Sequence, residues 1–489
     1  MLKKNIMRKL INIIIILSLF ASVTSCDKFL GNKPKGYTIP QYYEDYALLL
    51  NGSSLSFLGA VYPNYISDDV ELSKVNAPTY IDFGAKSEEI QGCYIFKSGE
   101  IFSPGANDWF YADCYSQIYT YNVIINNVMA VNDAVEAEKR NLKAQALVGR
   151  AFAYLNLVNT YAVHYNKSSA STDYGVPIIL SEDINNTYVR NSVADVYNLI
   201  ISDLEEAVTS LDESTKNQFH PNKTAGYSLL SRAYLYMGEY ELSLKNAKEA
   251  LKYNKQGEFL DFKKYSLKEN AQGFWERIVD KDGNVMPTRA DNKELIYIKL
   301  PSNDHSSYVF ASKDLLETFK RDLPIGAIDK RSELFYAKDR VNTFTEMSFP
   351  GYTMYVAHIM PNMGITTQEL YLTIAECEAR VANGSWQKAL TYIDDLRNMR
   401  IVNNKPLVAK SKEDALRIIL DERRREMAFW GSNRTIDLKR LNLEKNFAKT
   451  VVHNLDGTKY ELPANDLRYV MPLPYSVREF NPTIPQYQR

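Results

Sequence analysis

Residues 227–250 read YSLLSRAYLYMGEYELSLKNAKEA and carry the clearest internal pattern of the chain. Tyr227, Leu230, Ser231, Tyr234, Gly238, Tyr240, Ser243, Ala247 and Ala250 alternate large and small side chains at helical spacing. Residues three and four apart share one helix face, so each half of the stretch predicts a helix with a packed side. The small residues allow two such helices to approach closely. Gly238 interrupts the pattern and predicts the turn between them.

A looser copy follows, in which Gly384, Trp386, Ala389, Ile393 and Leu396 take the places of Gly238, Tyr240, Ser243, Ala247 and Ala250. Both units resemble the tetratricopeptide repeat. Their glycines lie far apart in the chain, so helix pairs separated by long insertions fit better than a regular solenoid. Upstream, Trp109, Cys114, Ile118, Tyr121, Ile125 and Val128 recur at steps of three to five and predict one amphipathic helix. After a break at Asn132-Asp133, Leu142, Ala146, Arg150, Ala153, Leu157 and Tyr161 predict its partner. Ser192 is placed to cap a further helix through Val196, Leu199, Ile200, Leu204, Ala207 and Leu211.

The remaining segments have other characters. Residues 41–107 hold turn formers such as Asn51-Gly52, Pro63-Asn64 and Pro104-Gly105, and predict loops with at most short helices. Residues 255–365 form a loop-rich insertion carrying Phe274, Trp275, Tyr297, Tyr308, Phe344, Phe349, Tyr352 and Tyr355. A last long helix is expected from Ser411 to about Trp430. Within it, residues 421–426 set acids and bases at helical spacing, the pattern of a solvated or ion-paired face. Prolines at 463, 472, 474, 482 and 485 predict a mostly extended tail over 462–489.

The N-terminus reads as an export signal. Lys3, Lys4, Arg8 and Lys9 precede an apolar run of about a dozen residues, the length of a signal core. A membrane span needs about 20. Val23-Thr24-Ser25-Cys26 then resembles the bacterial lipobox, which implies acylation of Cys26, palmitate included, as the mature N-terminus. Residues 1–25 are therefore read as a lipoprotein signal peptide and 26–40 as a flexible tether. Residues 41–254 are read as the N-terminal helix-pair region and 255–489 as the C-terminal region, with the insertion and the last helices.

Hydrophobic residues make up 45% and charged residues 24%, the balance of a folded globular chain. The formal charge of -1 falls to about -5 once the four basic residues of the signal leave, so no positive field for nucleic acid exists. Thirty-five tyrosines suit both helix packing and stacking on sugar rings. Cys93, Cys114 and Cys377 form no CxxC pair and read as buried small hydrophobes, with one disulfide left open. There is no H-E-x-x-H, G-x-S-x-G or P-loop motif, and the five histidines (164, 220, 305, 358 and 453) show no ligand spacing. No metal or cofactor is expected. A glycosidase pair of carboxylates would leave no spacing to detect.

In their order along the chain, these features resemble the SusD/RagB family of Bacteroidetes outer-membrane nutrient-binding lipoproteins. Cys26-Asp27-Lys28-Phe29-Leu30 with Pro34 is similar to the family's opening, and Trp109, Tyr115, Ile118 and Asn122 to its W…Y…I…N helix. Arg150-Ala151-Phe152-Ala153-Tyr154 resembles its RAFYY segment, and Gly175-Val176-Pro177-Ile178 its G-x-P-L strand. Glu422-Arg423, Glu426, Arg434, Asp437-Leu438 and Arg440 resemble its ER…E…R…DL…R signature, and Pro472-Leu473-Pro474 with Asn481-Pro482 its ending. One departure is Trp430-Gly431, where a glutamate-glycine pair is common.

The resemblance implies a mainly α fold: a superhelical scaffold of about four tetratricopeptide-like pairs with a loop-rich second lobe for ligand. It implies a non-catalytic, surface-exposed outer-membrane lipoprotein that delivers glycan to a SusC-like TonB-dependent transporter. A RagB-like oligopeptide binder, a surface glycoside hydrolase and a helical adaptor are the alternatives. Sugar recognition needs aromatic faces for C–H groups and polar side chains for hydroxyls. Candidate ligand residues are Tyr62, Tyr65, Asp68 and Asp69; Trp109, beside the turn at Pro104-Gly105; and Trp275, Tyr297, Asn303, Asp304, Tyr308 and Tyr352. Packing competes with ligand contact as the role of each.

Overall fold

The computed structural model describes residues 40–58, 62–74, 81–182, 188–255, 257–269, 276–301, 309–342, 346–356 and 362–489. Cys26 and the tether up to residue 39 lie outside them, as do Trp275, Asn303, Asp304 and Tyr308. Eight long helices carry the structure: α1 (Trp109–Asn127), α2 (Glu136–Tyr161), α3 (Val193–Ser210), α4 (Lys223–Tyr236), α5 (Tyr240–Tyr253), α6 (Thr367–Arg380), α7 (Trp386–Arg400) and α8 (Lys412–Met427). Each packs on the next, which makes four pairs, and the short helix α9 (Asn433–Leu441) follows. The mainly α scaffold is the one the family resemblance implied.

Local chemistry accounts for the helix ends. Gly238 adopts φ +74°, a left-handed turn open to glycine, between α4 and α5. The small residues of the opening stretch meet where these helices cross: Ser231 Oγ donates to the Ser243 carbonyl and Ser243 Oγ to the Ser231 carbonyl, each at 2.9 Å. Ser192 caps α3 by accepting from the Asp195 amide, and Asp108 caps α1 by accepting from the Phe110 and Tyr111 amides. Where α1 crosses α2, Gly149 faces the Tyr121 ring so closely that a Cβ would lie 2.2 Å from it.

The region read as a loop-rich insertion holds more strand than expected. Glu346–Tyr355 lies between Tyr336–Asn342 and Val309–Phe310 in an antiparallel sheet, with Tyr336 opposite Tyr355. Met347 and Phe349 point inward while Ser348 and Pro350 point out, the period-two pattern of a half-buried strand. The tail likewise contains a short helix, Tyr475–Phe480, despite its prolines. One hydrophobic cluster runs from Leu58 to Ile484. Cys93, Cys114 and Cys377 are buried and unbonded to one another. Trp430, the departure from the family pattern, is buried against Leu295, Ile298 and Leu300 and donates its ring N–H to the Tyr355 hydroxyl.

The largest correction concerns residues 421–426. The face is ion-paired but not solvated: Glu422 to Glu426 lie inside the protein, and only Asp421 stays partly exposed, paired with Arg321 and Arg417. Glu422 meets Arg331 at 2.7 Å, Arg397 at 3.1 Å and Arg425 at 2.7 Å. Glu426 meets Arg331 and Arg400, and Arg400 continues to Glu294 at 2.6 Å. Arg423 bonds Asp437, which with Glu376 also holds Arg440. Helical spacing shows that charges can pair along one face, but these acids pair chiefly with arginines from other elements.

This network makes stability depend on pH. Burial alone would raise the Glu376 carboxyl, but Arg440 and Arg380 outweigh it and hold the group at about 2. At Asp437, Arg423 and Arg440 outweigh burial in the same way, again to about 2. Unfolded carboxylates titrate near 4, so the ionised pairs stabilise the fold fully above that value and lose their contribution as pH falls toward 2. Each shift is worth about 2–3 kcal/mol, less where the two share Arg440. Glu294 and Asp203, pushed up by burial, act in the opposite sense. The urea midpoint is expected to drop steeply between about pH 4.5 and pH 2.5; a flat midpoint there contradicts this account.

Candidate functional site

Of the candidate ligand residues within the described chain, five are buried. The Tyr62 hydroxyl donates to Asp108 at 2.8 Å, and Tyr161 donates to the same carboxylate. Tyr62 thus supports the cap of α1. Tyr65 packs in the main cluster. Asp68 accepts two bonds from Arg434, at 2.7 and 2.8 Å, and one from Lys449 at 2.6 Å. Arg424 takes Asp69 at 2.7 Å. Despite full burial, Arg424 and Arg434 keep the Asp68 carboxyl well below its ordinary range.

Tyr297 is also interior, edge-on to Phe152 at 6.0 Å. It shares an aromatic cage with Tyr121 and Phe152 around the ammonium of Lys299, whose centroids lie 5.0 to 5.8 Å away. Burial brings Lys299 down to about 7, and its Nζ donates to the Leu55 carbonyl and to Tyr121. Of these candidates, Tyr62, Tyr65, Asp69 and Tyr297 are thus packed or ion-paired in the interior, and Asp68 is ion-paired beside a cleft. Mixed aromatic and acidic strings look alike on a sugar platform and in an ion-paired core, and the arginines that distinguish the two lie in the last quarter of the chain.

Among the described residues, the other candidates lie on two surfaces. Asp68 forms part of the wall of a cleft of about 380 Å³ with Glu71, Tyr94, Ser312, Lys313 and Asp314. Burial raises the Glu71 carboxyl, while Lys313 partly opposes it. Tyr352, half-buried in the sheet and edge-on to Phe310 at 6.2 Å, lies near Tyr94.

The second surface is the outer face of α1. Trp109 is 59% exposed and Tyr119 47% exposed, with Ala112 and Ser116 exposed between them. Offsets of three, seven and ten put all four on one helix face, and ten residues span about 15 Å. The result is a shelf with an aromatic ring at each end and low side chains between, held at its start by the Asp108 cap. Trp109 was a sequence candidate; Tyr119 was missed, although its spacing from Trp109 was legible. Among the described residues no three His, Cys, Asp or Glu side chains are placed to hold a metal, and no helix is long and apolar enough to cross a membrane.

Comparison with known proteins bears on this architecture. Residues 79–235 match a SusD-like family described as starch-binding and associating with the outer membrane, and residues 367–488 match the SusD family. No curated protein matches the chain. Among solved structures, a putative sugar binding protein from Bacteroides vulgatus ATCC 8482 is 23% identical with a TM-score of 0.67, over 92% of this chain and 99% of that one. A SusD superfamily protein from Bacteroides thetaiotaomicron VPI-5482 is 19% identical with a TM-score of 0.68, over 92% and 100%. A laminarin binding SusD-like protein is 17% identical with a TM-score of 0.57, over 90% and 97%. At these identities the structures share the fold. With matches at both ends of the chain and one scaffold throughout, this protein belongs to the SusD/RagB family.

Proposed function

We propose that this chain is a cell-surface lipoprotein, anchored through Cys26, that binds oligosaccharide or polysaccharide without cleaving it and passes it to a SusC-like TonB-dependent transporter. Family membership supports the class, and the names of the solved sugar-binding and laminarin-binding relatives support the ligand. The observation that carries the reading is Trp109: a large indole more than half exposed on a rigid, capped helix end. A flat apolar ring in that setting suits the C–H face of a sugar, and Tyr119 is set to take a second contact along the chain.

Calorimetry with a panel of polysaccharides, laminarin and starch included, tests this. At least one should bind, and Trp109→Ala should weaken it about tenfold or more while the circular dichroism spectrum stays unchanged. Oligopeptide binding without glycan binding would favour the RagB-like alternative, for which the cleft offers Glu71 and Lys313 as charges of both signs. New reducing ends on incubation would move the reading to hydrolysis.

A further inference from the structure

A cleft of about 500 Å³ opens between the loop that joins α3 to α4, the end of α5 and residues 293–296. None of the residues of the Trp109 shelf lines it. The loop is tied down by its own bonds. Asn217 Oδ1 accepts from the Phe219 amide at 3.0 Å, the Thr215 hydroxyl donates to the Asn217 carbonyl at 2.7 Å, and the Lys223 amide donates to the Asp212 carbonyl at 2.8 Å. Its side chains therefore spring from a fixed frame, and solutes can reach them: Ser214, Lys216 and Asn217 are exposed, as is Lys293 on the other segment.

Charge decides what can enter. Among the described residues three cations, Lys216, Lys255 and Lys293, share the wall with one acid, Glu213. Lys255 already holds Glu213 at 2.6 Å. Lys216 and Lys293 form no ion pair among the described residues. The chain as a whole carries -1, so this surplus is local. Hydrated lysines cost the fold nothing, but two without counter-charges at one concave surface set up a field that draws anions in. The neutral groups add a second requirement. Asn217 and Asn222 spend their side-chain oxygens on the amides of Phe219 and Ala225, so each has its NH₂ to offer. Ammonium, amide and hydroxyl donors on one wall complement a ligand that is negative and rich in oxygen acceptors.

We propose that this cleft binds a uronic acid, a sugar ring that bears a carboxylate. Lys216 and Lys293 supply the charge that holds the carboxylate, and Ser214, Asn217 and Asn222 bond the ring oxygens. The volume lies within the range of ligand pockets, about 300–1,000 Å³, and leaves a small inorganic anion underfilling it. The site stands apart from the Trp109 shelf and does not rest on the glycan-delivery reading.

Saturation-transfer NMR titrations on the full mature chain, with glucuronate and galacturonate as probes and glucose and galactose as their neutral parents, test it. At least one uronate should bind about tenfold or more tighter than its parent. Raising NaCl from about 20 mM to about 500 mM should weaken it severalfold. Lys216→Gln combined with Lys293→Gln should weaken it about tenfold or more, and because both residues are exposed the urea midpoint should stay in place. Glu213→Gln, which removes the acid and frees Lys255, should tighten binding about two- to fivefold. Trp109→Ala should change none of this, even where polysaccharide binding is lost. Absence of binding for both uronates, equal binding of the neutral parents, or an unchanged affinity in the double lysine variant overturns the proposal. So does full displacement of the uronate by an equal concentration of inorganic phosphate, the mark of a cleft that reads charge alone. Loss in Trp109→Ala would place the uronate on the shelf, so the cleft proposal would fall while the glycan reading stood.

Discussion

Glu422→Ala is expected to destabilise the protein by about 3–5 kcal/mol, a large share of the 5–15 kcal/mol that holds a typical domain. Glu422 has no exposed surface and compensates three guanidinium groups, those of Arg331, Arg397 and Arg425. Arg331 keeps Asp329 and Glu426 when Glu422 is removed. Arg397 keeps only neutral partners, the Asn404 amide and the Asp322 carbonyl, among its described bonds. A buried cation left without an ion-paired carboxylate, with only Asp394 acting on it from further off, is what makes the loss large. Glu422→Gln retains the shape and should fall between alanine and wild type. Urea denaturation at constant slope measures all three. Glu239→Gln, which breaks the surface pair with Lys167, should leave the midpoint in place. A midpoint equally unmoved in Glu422→Ala would show that the buried network does not hold the fold.

Gly149→Ala should be nearly as damaging, about 2–4 kcal/mol, against the sign that helix propensity alone implies. In a free helix, alanine for glycine gains about 1 kcal/mol. Here the new methyl would lie 2.2 Å from Tyr121 Cζ and 2.6 Å from its hydroxyl. The ring cannot swing aside cheaply, because Tyr121 packs among Ile124, Val128, Leu142 and Ala146 and bonds Lys299. Displacing it would both overpack the α1–α2 crossing and strip a partner from a buried amine. A double-mutant cycle with Tyr121→Val separates these effects. The pair should be less destabilised than the sum of its parts, since removing the ring makes room for the methyl. Simple additivity would sink the steric account.

What could be read from the sequence was what is local. Ser192, Gly238 and the stripes of α1 to α5 act within a few residues of themselves, and each formed the structure its chemistry implied. Met347-Ser348-Phe349-Pro350 was legible in principle as a strand, but turn formers around it masked the alternation. The site was harder to read. Tyr62, Asp68 and Tyr297 had the composition of a sugar platform, and only partners far away in the chain, Arg434 and Phe152 among them, decide that they face inward. Conversely, the exposure of Trp109 and Tyr119 follows from what does not cover α1, which no spacing rule encodes.

The pairing of Asp68 and Asp69 with Arg424, Arg434 and Lys449 also sets an order of events. Synthesis runs from the N-terminus, so the two acids emerge long before the three bases that neutralise them. Until those arrive, burying the acids would strand two carboxylates in a dry interior, and they stay hydrated instead. Closure of the N-terminal segment over these acids thus depends on the C-terminal bases. A chain truncated before Arg424 is therefore expected to leave the segment around Asp68 and Asp69 open, because the bases that neutralise those acids are missing.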